Sequence, residues 1–256
     1  ADAPDDKQQD ATVMAQWAAS GHAEQGANCT ACHTQLDSKG EPDAEATEAT
    51  AHWTDEPVAE NCASCHDIEV EAFGKGKHGM RLAAGLSPMT VEAARLPMHE
   101  DAAHQELTCN SCHAAHDYDV VSAAVEACVG CHADDHTVAY RNSLHYALWL
   151  AETEGNGKPG TGVSCASCHM PRISQDVDDY NSRIVVDHNQ SANLAPNSKM
   201  IRGACLECHG LGFSIDALMD DQLIQNNFQG LPTTRNDSLP MARELMESHE
   251  KRKNGQ

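Results

Sequence analysis

The feature that most constrains this chain is a five-residue motif, C-x-x-C-H, which occurs six times in 256 residues. All 12 cysteines belong to these motifs, so none is left over. Two thiols this close could bind zinc, form a strained disulfide or attach a haem. A zinc site takes four ligands from two such pairs and needs no histidine after each one. Disulfides need no histidine either, whereas c-type haem attachment uses both thiols and the adjacent histidine.

The repeated motif therefore predicts six covalently attached haem c groups. In each site two thiols add to the vinyl groups of one porphyrin, and the histidine becomes the proximal ligand of the iron. The expected attachment residues are Cys29, Cys32, Cys62, Cys65, Cys109, Cys112, Cys128, Cys131, Cys165, Cys168, Cys205 and Cys208. The expected proximal ligands are His33, His66, His113, His132, His169 and His209. We number the sites 1 to 6 in this order.

The composition predicts that haem supplies the core. Aromatic residues make up only 4% of the chain, which is thin for a protein of this size. We expect a mainly α fold with much coil and little β, in a single haem-cored domain over 1–256. The expected elements are an acidic N-terminal segment (1–20), short helices (85–107), helix around motif four (122–152), a loop (154–164), one short strand (182–188) and a C-terminal helix (236–253).

Ten histidines lie outside the motifs, and six irons with two histidine ligands each need six of them. His22, His78 and His145 share a local pattern, with an aromatic residue five positions earlier and Ser or Gly two positions earlier. His116 lies three residues after His113 and could not bind the opposite face of the same iron, so we assign it to a neighbouring haem. His188 is the only histidine between motifs five and six. These five are predicted distal ligands.

The sixth distal ligand is less sharply marked, and we choose His104. His52 is held in reserve. It and His99 each lie ten residues before a motif cysteine, so the spacing does not separate these two. His136 and His249 have the context of ordinary surface residues. Methionine could replace histidine on one iron, and Met80, Met98 and Met170 lie near sites, although core filling is the more usual role.

The charge of the chain constrains its partners and location. The formal net charge is -22, and residues 1–72 carry 16 acidic side chains against Lys7 and Lys39. Such a surface repels nucleic acid and would favour a basic docking patch on a redox donor or acceptor. No apolar stretch approaches the length of a transmembrane helix. The start "ADAPDD" and the haem motifs predict an exported protein, periplasmic or else extracellular at the cell surface. The oligomeric state is left open.

Part of the chain resembles a known superfamily. "ACVGCHADDHTVAYRNSLHYALW" followed by "GVSCASCHMPR" is similar to multihaem cytochromes of the hydroxylamine oxidoreductase and pentahaem nitrite reductase superfamily. The resemblance covers about residues 60–210 and implies closely stacked, bis-histidine haems in a helical frame. The matching positions are Cys128, Cys131, His132, Ser143, His145, Cys165, Cys168, His169, Met170 and Pro171.

The chain also departs from that superfamily. It lacks the C-x-x-C-K motif of the catalytic haem, and Tyr118, Tyr140, Tyr146 and Tyr180 have no matching context. The main hypothesis is therefore electron transfer along closely spaced haems in anaerobic or respiratory metabolism, with no catalytic residue. One alternative is a reductase or oxidoreductase of nitrite, hydroxylamine or sulfur oxyanions with one open haem. Another is a subunit of an extracellular haem filament, which needs a ligand given to a neighbouring subunit.

Overall fold

The computed structural model describes residues 1–37, 40–41, 52–102 and 107–253, and most of its helices are short. The α-helices are α1 Ala11–Ala19, α2 Gly21–Glu24, α3 Cys29–His33, α4 Ala59–Lys75, α5 Met80–Ala83, α6 Val120–Val129, α7 Asp135–Tyr140, α8 Leu144–Thr153, α9 Cys165–His169, α10 Gln190–Leu194, α11 Met200–Gly203, α12 Leu211–Leu218, α13 Asp221–Gln225 and α14 Ser238–Lys253. Single 3₁₀ turns occur at Lys7–Gln9, Val91–Ala93, Cys109–Ser111, Asn197–Lys199 and Cys205–Glu207. The mainly α fold with much coil is confirmed.

The strands of the described residues form one antiparallel hairpin, β1 Arg172–Asp176 and β2 Ser182–Val186. The second strand lies in the stretch for which a strand was predicted. Asp178 holds the connecting turn, because its carboxylate accepts hydrogen bonds from the backbone N–H groups of Tyr180 and Asn181. Little β structure was expected, and the described residues agree. None of their helices has the length and apolar character needed to cross a bilayer.

The chain divides into two compact units. Unit 1 consists of Ala1–Ala133 and Arg172–Ser191, and unit 2 of Asp134–Pro171 and Ala192–Gln256. Motifs one to four lie in unit 1, and motifs five and six lie in unit 2. The single haem-cored domain over 1–256 stays a prediction.

Aspartate and serine side chains mark where many of these helices begin. At the N-terminus of each such helix, the side chain just before the first helical residue accepts hydrogen bonds from backbone N–H groups that have no partner within the helix. The capping residues of α1, α6, α7, α8 and α13 are Asp10, Asp119, Asp134, Ser143 and Asp220. These caps let a sequence with little packed core form many one- and two-turn helices.

The helices predicted over 85–107 are wrong for the described part of that stretch. It contains only the 3₁₀ turn Val91–Ala93, and the rest is extended or coil. Proline at positions 88 and 97 removes N–H donors that a helix would need. The chain instead runs beside motif four, where Met98 forms a β-bridge with His132 and the N–H of Ala133 donates to the carbonyl of Pro97 at 3.0 Å.

Few apolar side chains of the described residues are buried. They are Ala3, Ala123, Val125, Tyr140, Val185, Met200, Ala217 and Leu223. Three of these eight are alanine, whose methyl group buries little area. Polypeptide alone therefore supplies only a small part of an interior.

Candidate haem sites

Each C-x-x-C-H motif folds as about one helical turn. Two of the motifs coincide with helices α3 and α9. In three others the histidine N–H donates to the carbonyl of the first cysteine, at 3.0 Å for His113, 2.9 Å for His132 and 2.8 Å for His209. Residues i, i+3 and i+4 share one face of a helical turn, so both thiols and the imidazole lie on the same side. The remaining motif ends at a kink in α4, where His66 has φ -115° and ψ 39°.

Every motif histidine faces one other histidine, and each partner comes from outside the motifs. The distances between ring centres fall between 6.0 and 6.3 Å, and no histidine is used twice. The pairs in unit 1 are His33–His116, His22–His66, His113–His188 and His78–His132, for sites 1 to 4. The pairs in unit 2 are His136–His169 and His145–His209, for sites 5 and 6.

This spacing suits an iron held between two imidazoles. A metal–imidazole bond of about 2 Å on each side, added to the distance from each nitrogen to its ring centre, gives about 6 Å between ring centres. Some other ring contacts are closer, such as 4.4 Å for His33 on Trp53 and 4.8 Å for His209 on Phe213, while others, such as His136 with Phe228 at 6.2 Å, lie in the same range. The partners also lie far apart in sequence, so local chain geometry does not impose the repeated distance.

Helix caps position two of these partners in the same way. His22 and His145 are each the second residue of a helix, α2 and α8. The residue before each helix is a serine with 4% exposure, Ser20 or Ser143, whose side chain caps the helix. The small residue two positions before the histidine is thus a buried cap, which explains the pattern found in the sequence.

Glycine fills the corresponding position before His78. A Cβ on Gly76 would lie 2.7 Å from the carbonyl oxygen of His188 and 2.7 Å from Oε1 of Gln190. The chain before His78 therefore approaches the segment that carries the distal candidate of site 3. His188 is itself oriented by its Nδ1, which donates to the carbonyl of Val186 at 2.8 Å at the end of β2.

His136 is not the ordinary surface residue that its context suggested. Its ring centre lies 6.1 Å from that of His169, and its Nδ1 lies 2.5 Å from the carbonyl of Ile224, to which it can donate. Asn227 donates to the His136 carbonyl at 3.0 Å. His136 is also the second residue of a capped helix, but here the cap is Asp134. A search for any capping residue two positions earlier would have found it.

The other candidates are not brought to a motif histidine. His104 lies outside the described residues, so its role as the sixth ligand stays a prediction. His52 accepts a backbone hydrogen bond from Gln35 on its carbonyl, and His99 donates its N–H to the carbonyl of Cys131. His249 is exposed on α14. None of these three stands at ring distance from a histidine within the described part of the chain.

Burial lowers the pKa of five of the paired imidazoles and so favours their neutral form. Removal from water lowers the pKa of the ring most, and the neighbouring histidine lowers it further; the affected residues are His22, His78, His113, His116 and His145. A neutral imidazole has a free lone pair, which is the form that binds a metal. At these five positions the ring therefore has the lone pair that a haem iron would need.

Successive sites of each unit lie side by side. Burial, and then the charge of a cysteine in the next motif, raises the pKa of Cys112 to about 11 and of Cys168 to about 12. The pKa of Cys32 is raised by burial, then by Cys29 of the same motif and by Cys65 of the next. A hydrogen bond between Cys62 and Cys109 raises the pKa of the first thiol and lowers that of the second. The cysteine pairs that join sites are Cys32–Cys65, Cys62–Cys109 and Cys112–Cys128 in unit 1, and Cys168–Cys205 in unit 2.

The exposed area of the polypeptide also fits large prosthetic groups. The chain exposes 16984 Å². A compact protein of 27.5 kDa would expose roughly 11,000 Å², and two compact bodies of half that mass roughly 13,000 Å². Large apolar side chains beside the motifs and their partners are exposed, among them Val120, Leu144 and Leu211. The donor set and the surface both fit six haems.

Zinc binding and disulfide formation, the other two interpretations of the cysteine pairs, are not supported by the geometry of the described residues. None of the 12 cysteines, all of which lie in the described ranges, is joined to another as a disulfide. Within the ranges described above, no three His, Cys, Asp or Glu side chains converge as a zinc site would require. Comparison with protein-family models finds no match for this chain, and comparison with curated proteins finds no relative.

Proposed function

We propose that this protein is a hexahaem c-type cytochrome that transfers electrons between redox partners in anaerobic or respiratory metabolism. The observation that carries the proposal is the set of six histidine pairs at 6.0–6.3 Å. Covalently bound haem supplies reversible one-electron chemistry at its iron. The cysteines of each motif would hold the group, and the paired histidines would occupy both axial positions.

Closed axial positions favour electron transfer over catalysis. A histidine on each side of the iron would leave no position for nitrite, hydroxylamine or a sulfur oxyanion, and such a pair would need to change little when the iron gains or loses an electron. All six partners belong to this chain, so none has to come from a neighbouring subunit as in a haem filament. The reductase and filament alternatives therefore have no observation in their favour.

The spacing of the sites supports transfer along the chain within each unit. Cysteines of motifs one to four follow one another in space as they do in sequence, and those of motifs five and six are also neighbours. Two histidine ligands and an acidic surround both stabilise ferric iron, so we expect low midpoint potentials. Export to the periplasm or cell exterior, and docking to a partner through a basic patch, belong to the same proposal.

Carbon monoxide binding to the reduced holoprotein tests the proposal. Total haem is measured by pyridine haemochrome, and the Soret band is followed on addition of carbon monoxide. We expect six haems per chain and no Soret shift, since every sixth position is filled by histidine. A shift worth one haem in six would reveal an open iron and would favour the reductase, which nitrite and hydroxylamine turnover would then test. Fewer than six haems per chain would contradict the cofactor assignment.

A further inference from the structure

One short stretch, residues 113–118, serves three haem sites, and we call it the junction segment. It begins at His113, the motif histidine of site 3. His116 faces His33 of site 1, with ring centres 6.0 Å apart. Tyr118 ends the segment with its ring against His22 of site 2, at 4.5 Å and 85°. The contact between Tyr118 and His22 was not predicted from the motif pattern.

The backbone of the junction segment adopts a conformation that aromatic residues rarely take. His116 has φ 74° and Tyr118 has φ 49°, both in the left-handed region. That region is costly for a side chain with a Cβ and persists only where the surroundings determine it. A hydrogen bond from the N–H of Tyr118 to the carbonyl of Ala114, at 2.9 Å, closes the turn. The turn directs the two side chains to two different sites.

The surroundings of Tyr118 explain which part of the side chain matters. It lines one small cavity together with Cys32, Cys62 and Cys109, from three different motifs. No described residue makes a hydrogen bond to its hydroxyl. The contact with His22 is therefore made by the ring.

The ring contact fixes a specific angle. The imidazole planes of His22 and His66 are 89° apart, whereas those of His33 and His116 are 16° apart. Perpendicular axial imidazoles interact equally with both dπ orbitals of low-spin ferric iron and keep them close in energy. Parallel imidazoles separate them. The first arrangement gives a ferric EPR signal with one very large g value, and the second gives a rhombic signal with three resolved g values.

We propose that Tyr118 is a positioning residue that holds His22 perpendicular to His66 and so sets the electronic state of site 2. This rests on the proposed electron-transfer function, because it concerns a haem bound at that site. The edge-to-face contact between the Tyr118 ring and the His22 imidazole would oppose rotation of that imidazole about its bond to iron. Through the junction segment, the same turn that supplies a ligand to site 1 controls the ligand plane of site 2.

EPR spectra of the ferric holoprotein test the proposal with three variants. Tyr118→Phe keeps the ring. Tyr118→Asn removes the ring and suits a left-handed backbone. Tyr180→Asn is the matched control, because Tyr180 is 94% exposed at the hairpin turn. We expect Tyr118→Asn alone to move the intensity of one haem in six from the large-g signal toward the rhombic region. The midpoint potential of one haem should shift with it.

Two results would overturn the proposal: an unchanged large-g signal in Tyr118→Asn, or an equal change in Tyr118→Phe, which would implicate the hydroxyl. New carbon monoxide binding to one haem in Tyr118→Asn would support it, because His22 would then have left its position. If Tyr118→Asn does not accumulate, Tyr118→Leu replaces it with the same readouts. Wild-type protein without six closed haems would instead contradict the proposed function, independently of these variants.

Discussion

Units 1 and 2 differ in how many histidine pairs they contain and in the size of the apolar side chains that they bury. Unit 1 has four histidine pairs, and its buried apolar side chains are alanine and valine. Unit 2 is about 50 residues shorter and has two pairs. It nevertheless buries Tyr140, Met200 and Leu223, which are larger. Unit 2 therefore has a small apolar core made of polypeptide. Unit 1 has a smaller one and would depend more on the haems proposed for its four histidine pairs.

The buried aspartate Asp220 stabilises part of unit 2 through hydrogen bonds that involve no C-x-x-C-H motif. One carboxylate oxygen of Asp220 accepts from the N–H of Leu223 at 3.0 Å. The other accepts from the N–H and the hydroxyl of Thr233, each at 2.8 Å. These hydrogen bonds join Thr233, in the loop after helix α13, to the capping residue at the start of that helix. In the same region Ile224 and Asn227 hold His136, so a distal candidate is fixed by polypeptide contacts.

The largest expected difference between the units is the response to loss of one haem. Cys109→Ser with Cys112→Ser should remove the haem of site 3 and release the junction segment. His116 would then leave site 1, and a remaining haem would bind carbon monoxide. Haem content by pyridine haemochrome and the Soret shift with carbon monoxide measure both effects.

The matching change in unit 2 is Cys205→Ser with Cys208→Ser. Here we expect five haems and no carbon monoxide binding, because Ile224 and Asn227 still hold His136 at site 5. Five closed haems in both variants would show that the junction segment stays in place without its own haem. That result would remove the contrast between the units.

His136→Ala tests whether unit 2 closes its own sites. Removal of this imidazole should open one haem in six to carbon monoxide, measured as one sixth of the full Soret change. His249→Ala is the control, since His249 is exposed on α14. If His136→Ala stays closed while His104→Ala opens one haem, the sixth ligand is the one chosen from the sequence.

The Asp220 carboxylate should make unit 2 stability depend on pH. Hydrogen bonds from Thr233 and Leu223 hold the pKa of this carboxyl in the folded chain at about 2, below the usual value of about 3.9 for aspartate. Because the folded pKa is depressed, its stabilisation is complete above about pH 4 and is lost as the pH falls to about 2. Asp220→Asn should lower the Tm by several degrees at pH 7 and very little at pH 2. Asp221→Asn carries the same charge change at an exposed neighbour and should leave the Tm unchanged.

The smallest effect concerns the aromatic residue five positions before His145. Tyr140 is 3% exposed, and its hydroxyl donates to the carbonyl of Val163 at 2.7 Å. Tyr140→Phe should lower the free energy of unfolding by about 1 kcal/mol, the usual cost of one such bond. Chemical denaturation followed by circular dichroism would measure it, with Tyr180→Phe as the exposed control. No difference between the two would mean that this bond adds nothing to the unit 2 core.

The sequence predicts best where one local feature determines the outcome. The mainly α fold follows from composition and from motifs that are themselves helical turns. His22 and His145 share a recognisable sequence pattern because each lies two residues after the buried serine that caps its helix. His136 was missed because aspartate does the same work at α7 and because Cys131, not an aromatic residue, lies five positions earlier.

Long-range pairing was not predictable in the same way. His113 meets His188 and His78 meets His132, and nothing near these residues in sequence specifies the partner. The helices expected over 85–107 failed because two prolines and contacts with motif four outweighed the propensity of Ala, Leu and Glu. The division between residues 133 and 134 falls inside a stretch that reads as continuous helix, so composition gave no sign of it.

The proximity of Cys62 and Cys109 bears on how haem would be attached to this chain. These thiols come from different motifs, yet in the folded chain each affects the other, which raises the pKa of Cys62 and lowers that of Cys109 to about 7. Because the thiolate is the reactive form, an oxidant acting on a folded chain without haem would be able to join the two thiols as a disulfide. That disulfide would block one attachment position in each of two motifs, so we expect haem attachment to be most efficient under reducing conditions or before folding is complete.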